Sequence, residues 1–195
     1  MDLEKVRELR ERTGAGIVDC KNALVETKDD IEQAVDLLRK KGLASAAKKV
    51  GRVTKEGIID AYIHPGDRLG VLLEINCETD FVARTQEFRR FVRDIALHIA
   101  ASEPMVVNRE ELSADIIERE REIYRSLVQD MKKPPEILEK IIDGKLEKFY
   151  TDVCLMEQPF VKTPEKTVAD YLKEHVAKFG ENIVIRRFVR FRLGE

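Results

Sequence analysis

The sequence predicts an α+β protein, with a three-helix N-terminal module ahead of a core in which several helices are set against a small three-stranded antiparallel sheet. Three observations predict it. Apolar residues recur at helical spacing from Leu3 to Leu38; the period changes to two between Ile59 and Cys77 and again between Ile183 and Leu193; and helical spacing returns between those two stretches. The expected division is 1–42 for the helical module, 43–55 for a basic linker and 56–195 for the core.

Leu3, Val6 and Leu9 lie on one face of a first helix that should stop at Gly14-Ala15-Gly16, and Ile17, Cys20, Ala23 and Leu24 continue the pattern in a second. A third helix opens at Asp29-Asp30, where an aspartate can cap free amides and Gln33 can reach back, and it carries Ile31, Ala34, Val35 and Leu38 to Gly42. A core of this size is marginal alone and suits a docking module. The segment Leu43–Lys55 is rich in alanine and lysine but has no broad apolar stripe, so it reads as a solvated linker.

From Glu56 the period is two. Ile59, Ala61 and Ile63 alternate with Asp60 and Tyr62, His64-Pro65-Gly66-Asp67 supplies a turn, and Leu69, Val71, Leu73, Ile75 and Cys77 follow, giving a hairpin with one buried face. Four helical stripes follow, built on Phe88, Val92, Ile95 and Ile99; on Ile116, Ile123 and Leu127; on Leu138, Ile142 and Phe149; and on Val168, Leu172 and Val176. In the last strand Ile183, Ile185, Val189, Phe191 and Leu193 are expected on the core face, with Arg186, Arg190 and Arg192 in solvent. Three strands leave two open edges, which proteins often cover by pairing subunits, so a homodimer is expected.

Composition removes several function classes. Charged residues make up 37% of the chain, yet the net charge is only -2, which advertises neither nucleic acid nor an anionic membrane. No apolar stretch reaches the ~18 residues of a membrane span and the N-terminus is not a signal peptide, so a cytoplasmic protein is expected. The three widely spaced cysteines read as buried free thiols, and the lack of CxxC or HExxH spacing argues against a metal or other cofactor. Catalysis by Cys77 with His64 or His98 is disfavoured because Cys77 falls on a buried strand face. Arginines interleaved with aromatics from Arg186 to Arg192 keep an RNA-binding alternative open, although strand alternation explains them more simply.

The richest segment is Asn76-Cys77-Glu78-Thr79-Asp80-Phe81-Val82-Ala83-Arg84. Thr79 or Asp80 is placed to cap the helix that follows. Phe81 is then either a hydrophobic staple into the protein's own core or a plug for a partner's pocket. Local pattern alone favours the staple. Against it, Phe88, Phe91, Val92 and Ile95 already fill the next helix's core stripe.

These motifs, with Arg12-Thr13-Gly14-Ala15-Gly16, Asp19-Cys20-Lys21, Ala46-Ala47-Lys48-Lys49, His98-Ile99-Ala100-Ala101, Gln158-Pro159-Phe160-Val161 and Gly180-Glu181-Asn182-Ile183, run in order along nearly the whole chain, which resembles the elongation factor Ts family. The resemblance implies a ubiquitin-associated-like N-terminal domain and a nucleotide exchange activity on the GTPase elongation factor Tu, with no covalent catalysis, no cofactor and no direct nucleic-acid contact. It makes Thr79, Asp80, Phe81 and Val82 the segment that disturbs the GTPase's magnesium and phosphate site, and Arg12, Gly14, Gly16, Ile17 and Val18 the N-terminal docking residues. Two departures stand out: Ile17 and Val18 replace the paired methionines of some relatives, and this short form shows one strand set where longer relatives roughly duplicate the core. A two-fold dimer would restore the doubling.

Overall fold

Three helices open the computed structural model, which describes residues 2–195: α1 (Leu3–Thr13), α2 (Ile17–Glu26) and α3 (Ile31–Ala47). The chain continues through β1 (Glu56–Ile63), β2 (Leu69–Cys77), α4 (Asp80–Ala83), α5 (Gln86–Ser102), α6 (Ala114–Val128), α7 (Pro135–Val153), β3 (Pro159–Phe160), β4 (Thr163–Thr167), α8 (Val168–Phe179) and β5 (Ile183–Arg192). The main sheet has the order β1-β2-β5, so the two strands of the hairpin are joined by the last strand of the chain. This is the expected α+β architecture. A two-stranded antiparallel ribbon, β3 with β4, pairs Pro159 with Thr167 and Phe160 with Thr163 and was not anticipated, because two residues are too few to show a period. Among the described residues, no helix is long and apolar enough to cross a membrane.

The fold divides into two compact units. The first holds the chain up to Gly57 together with Asn76–Thr85 and Asp170–Val184; the second holds Ile58–Ile75, Gln86–Ala169 and Ile185–Glu195.

In the first unit, Asp2 and Asp30 cap α1 and α3, accepting from Glu4 N (2.9 Å) and Gln33 N (3.0 Å), each cap being worth about 1 kcal/mol. Gly14 ends α1 in the left-handed region at φ +67°, with its N–H on Arg10 O at 2.8 Å. The three helices bury Val6, Leu9, Cys20, Ala23, Leu24, Ala34 and Leu38 as one cluster. The expectation that α3 stops at Gly42 is corrected, since it runs on to Ala47 and buries Ala46. Gly42 serves close approach: a Cβ there would lie 3.2 Å from the Cβ of Ala177 on α8.

In the second unit, β2 buries Val71, Leu73 and Ile75, and α5 buries Phe88, Phe91, Val92, Ile95, Ala96 and Ile99. Arg93 ties α5 to β1 by donating to Ala61 O (3.1 Å) and lying 4.6 Å over the Tyr62 ring. His98 is fully buried and wired into a network. Val161 N–H donates to its Nδ1 (3.1 Å), so the ring proton sits on Nε2 and meets Gln158 Oε1 at 2.9 Å, while Gln158 Nε2 donates to Ser102 O and Asp152 O.

Three face assignments are corrected. On β1, Tyr62 is buried while Ile59, Ala61 and Ile63 point outward. On β5, Ile183 and Ile185 are buried, but Arg186 and Arg187 are both exposed, the alternation breaks, and Val189 and Phe191 end outside while the Arg190 side chain is only 10% exposed. Arg190 is held by Glu103 and by Glu195 at 3.2 Å. On α6 the inward stripe is Ile117, Tyr124 and Val128, one residue on from the expected Ile116, Ile123 and Leu127, and it closes on Leu138, Ile142, Leu146 and Tyr150 of α7. Arg109 braces the end of α7, held by Glu157, by Glu147 (2.7 Å) and over the Tyr150 ring (4.3 Å).

Candidate protein-docking site

Strand β2 ends with Cys77 buried, and the backbone turns through Glu78 into the four-residue helix α4. Thr79, with φ -128° and ψ 153°, is the cap residue: its hydroxyl oxygen faces Val82 N at 3.5 Å. Asp80 is therefore not the cap but a first-turn residue, its carboxylate paired with Arg84 at 2.8 Å. One side of α4 is tied down, since Ala83 is buried. The opposite outcome holds for Phe81, which is 81% exposed. The staple that local pattern favoured is not formed. A benzyl group in water on a held turn is the arrangement of an interface anchor.

The turn is held from the other end of the chain. Glu181 Oε2 accepts Glu78 N (3.1 Å) and Thr79 N (3.0 Å), and Oε1 accepts the Thr79 hydroxyl at 2.6 Å. In return Glu78 Oε1 accepts Asn182 N at 2.6 Å, and Asn182 Nδ2 donates to Arg52 O at 2.8 Å. Glu78, Glu181, Asn182 and Arg52 are not among the site residues that the sequence singles out, although the first three lie in its motifs. A signal was present in Gly180-Glu181-Asn182, where a helix-ending glycine is followed at once by two hydrogen-bonding side chains ahead of a strand.

The N-terminal candidates belong to the same compact unit. Arg12 is occupied by Glu32 (2.8 Å), an exposed pair whose hydrogen bond lowers the carboxyl pKa of Glu32 and raises the guanidinium pKa. Gly14 and Gly16 frame the turn between α1 and α2, and Ile17 and Val18 open α2 with both side chains exposed, Val18 at 68%. Thr79, Asp80, Phe81 and Val82 thus share one turn, while Ile17 and Val18 form a second exposed apolar element on α2.

The competing chemistries find little support. Burial pushes the Cys77 thiol up to about 11, and its Sγ donates to Thr79 O at 3.2 Å, which makes it a packed thiol rather than a nucleophile. Among the described residues there is no cluster of His, Cys, Asp or Glu arranged to hold a metal ion. Three of the four arginines of β5 are paired within the chain: Arg187 with Glu74 (2.7 Å), and Arg190 and Arg192 with Glu103 and Glu195. Paired guanidiniums attract a phosphate backbone weakly.

Comparison with known proteins identifies the family. The family described as elongation factor TS matches residues 15–195. Proteins named elongation factor Ts from Carboxydothermus hydrogenoformans and Geotalea uraniireducens are each 59% identical, over 192 and 191 residues, covering 98% of this chain and 88% of each relative. One from Caldanaerobacter subterraneus subsp. tengcongensis is 56% identical over 192 residues, covering 98% of this chain and 96% of the relative. A match of that depth and length, running through the exposed Phe81 turn and the Glu181 clamp alike, establishes that the chain belongs to the elongation factor Ts family.

Proposed function

We propose that this protein is a guanine-nucleotide exchange factor that binds elongation factor Tu carrying GDP and loosens the magnesium and phosphate side of its nucleotide site. The observation that carries the reading is Phe81, 81% exposed on a turn that is otherwise clamped. Family membership supplies the GTPase as the partner. Asp80 and Val82 flank the ring as further contacts, and the exposed Ile17 and Val18 on α2 serve as a docking patch, with the adjoining Arg12, Gly14 and Gly16 shaping it.

The action is linkage rather than bond chemistry. A factor that weakens GDP binding must itself be bound less tightly by the GDP-loaded GTPase by the same ratio, each tenfold step corresponding to about 1.4 kcal/mol. Phe81 therefore has to fit the nucleotide-free GTPase better than the loaded one. No proton transfer or nucleophile is called for, and the site of action is the cytoplasm, where translation takes place.

The protein is also proposed to work as a homodimer. The outer face of the main sheet leaves Ile59, Ile63, Leu72, Val189, Phe191 and Leu193 exposed, a concentration of apolar side chains that a second copy would cover. The decisive experiment is release of fluorescent GDP from purified elongation factor Tu, with wild type and Phe81→Ala compared. Equal rates would overturn the mechanism.

A further inference from the structure

Helix α4 has four residues, far too few to hold a direction by themselves, and its buried anchor is Ala83. Something else fixes where Phe81 points. The clamp does so through a relay: the Glu181 carboxylate accepts the Thr79 hydroxyl proton at 2.6 Å, and the same Thr79 oxygen is the acceptor that caps α4 at Val82 N. A hydroxyl that donates to a carboxylate becomes a better acceptor, so the charge on Glu181 strengthens the cap one residue from Phe81. Glu181 is itself set in place by Gly180, which leaves α8 at φ +75° with its N–H on Val176 O at 3.1 Å.

We infer that Glu181 is a positioning residue for nucleotide exchange, acting through Thr79 to aim Phe81; this role rests on the exchange-factor reading above. It lies 103 residues from Glu78 in the chain, and no contact of its own with the GTPase is required. The alternative is a brace that stabilises the fold and nothing more. The two differ in one respect: a residue that acts only through Phe81 has nothing to contribute to exchange once Phe81 is gone.

The test is a double-mutant cycle on the full chain with wild type, Glu181→Ala, Glu181→Gln, Phe81→Ala and the Glu181→Ala/Phe81→Ala pair. It reads the saturating rate of fluorescent GDP release, the half-saturating concentration and the urea midpoint of the free protein. Glu181→Ala should lower the saturating rate on the order of ten- to a hundredfold, the loss that a misaligned group brings, with the half-saturating concentration nearly unchanged. Glu181→Gln, which keeps one carboxamide oxygen for the two amides, should fall between. In the Phe81→Ala background the rate should drop no further, while the urea midpoint falls as much as it does in the presence of Phe81. Rates that multiply independently, or a Glu181→Ala protein that exchanges like wild type, would reduce Glu181 to a brace. If Glu181→Ala does not fold, the same cycle with Glu181→Gln decides by the same criterion. Wild-type exchange by Phe81→Ala sinks the exchange-factor reading and this role with it; a slow Phe81→Ala beside a fast Glu181→Ala removes this role alone.

Discussion

Acidification should destabilise the second unit through one side chain, His98. Its ring is fully buried, and its Nδ1 is already the acceptor for Val161 N–H, so a second proton can bind only if that hydrogen bond is given up and a charge is left inside the core. Burial accordingly holds the His98 pKa below the ordinary histidine value, and the hydrogen bond that Nε2–H donates to Gln158 Oε1 offsets this only in part. The sign follows directly. A histidine whose folded pKa is depressed binds fewer protons folded than unfolded, so its contribution is fully present above the unfolded pKa of about 6.5 and is lost as pH falls toward the folded value. Each unit of depression is worth about 1.4 kcal/mol, and the slope approaches that figure per pH unit within the window. The assay is urea unfolding of wild type and His98→Asn from pH 7.5 to 5. Asparagine offers a non-titrating oxygen near the position of Nδ1, so the stability gap between the two proteins should shrink as pH falls. Paired carboxylates such as Glu32 and Glu147, whose ordinary pKa values are lowered by their arginines, are common to both proteins and cancel in the difference. A gap that stays constant from pH 7.5 to 5 would refute the reasoning.

Other outcomes follow from exposure and close contacts. Burying the open part of the Phe81 ring in a partner, 81% of a side chain of ~200 Å², is worth up to about 4 kcal/mol, so Phe81→Ala should slow stimulated GDP release by roughly 30- to 700-fold while leaving the urea midpoint unchanged. Phe88→Ala, which removes a fully buried ring, should instead cost about 3–5 kcal/mol of stability in the same unfolding measurement. Phe191 is 70% exposed on the outer sheet face, and Phe191→Asp should convert a dimeric mass in light scattering to a monomeric one without loss of helical circular dichroism. Gly42→Leu should cost about 1–3 kcal/mol of stability in urea unfolding, because a Cβ alone already comes within 3.2 Å of Ala177 and overpacking outweighs the gain in helix propensity.

Much of this molecule was legible in one dimension. Asp30 with Gln33 announced the start of α3, Gly14 announced the end of α1, and the alternation from Leu69 to Cys77 gave the correct inward face of β2. Two of the differences share a cause. In β1, Ile58-Ile59 offers an apolar residue to either face, and in α6, Ile116-Ile117 does the same, so the period was read correctly and its phase was not. On β5 the paired exposure of Arg186 and Arg187 shifts the phase midway, which no alternation count anticipates. A glycine near a helix end usually marks a stop, but at Gly42 the nearby Ala177, more than a hundred residues on, gives the glycine a different purpose.

The sequence by itself determined which segments form helices and strands, where several of them are capped, and the family to which the chain belongs, because these depend on neighbours within a few residues or on ordered motifs. Tertiary structure alone decided where the Phe81 ring stands. Whether an aromatic beside a polar turn staples inward or stands in water depends on where the rest of the core has gone. Here Ala83 takes the inward position, and Glu181, arriving from the far end of the chain, clamps the backbone so that the ring is left outside.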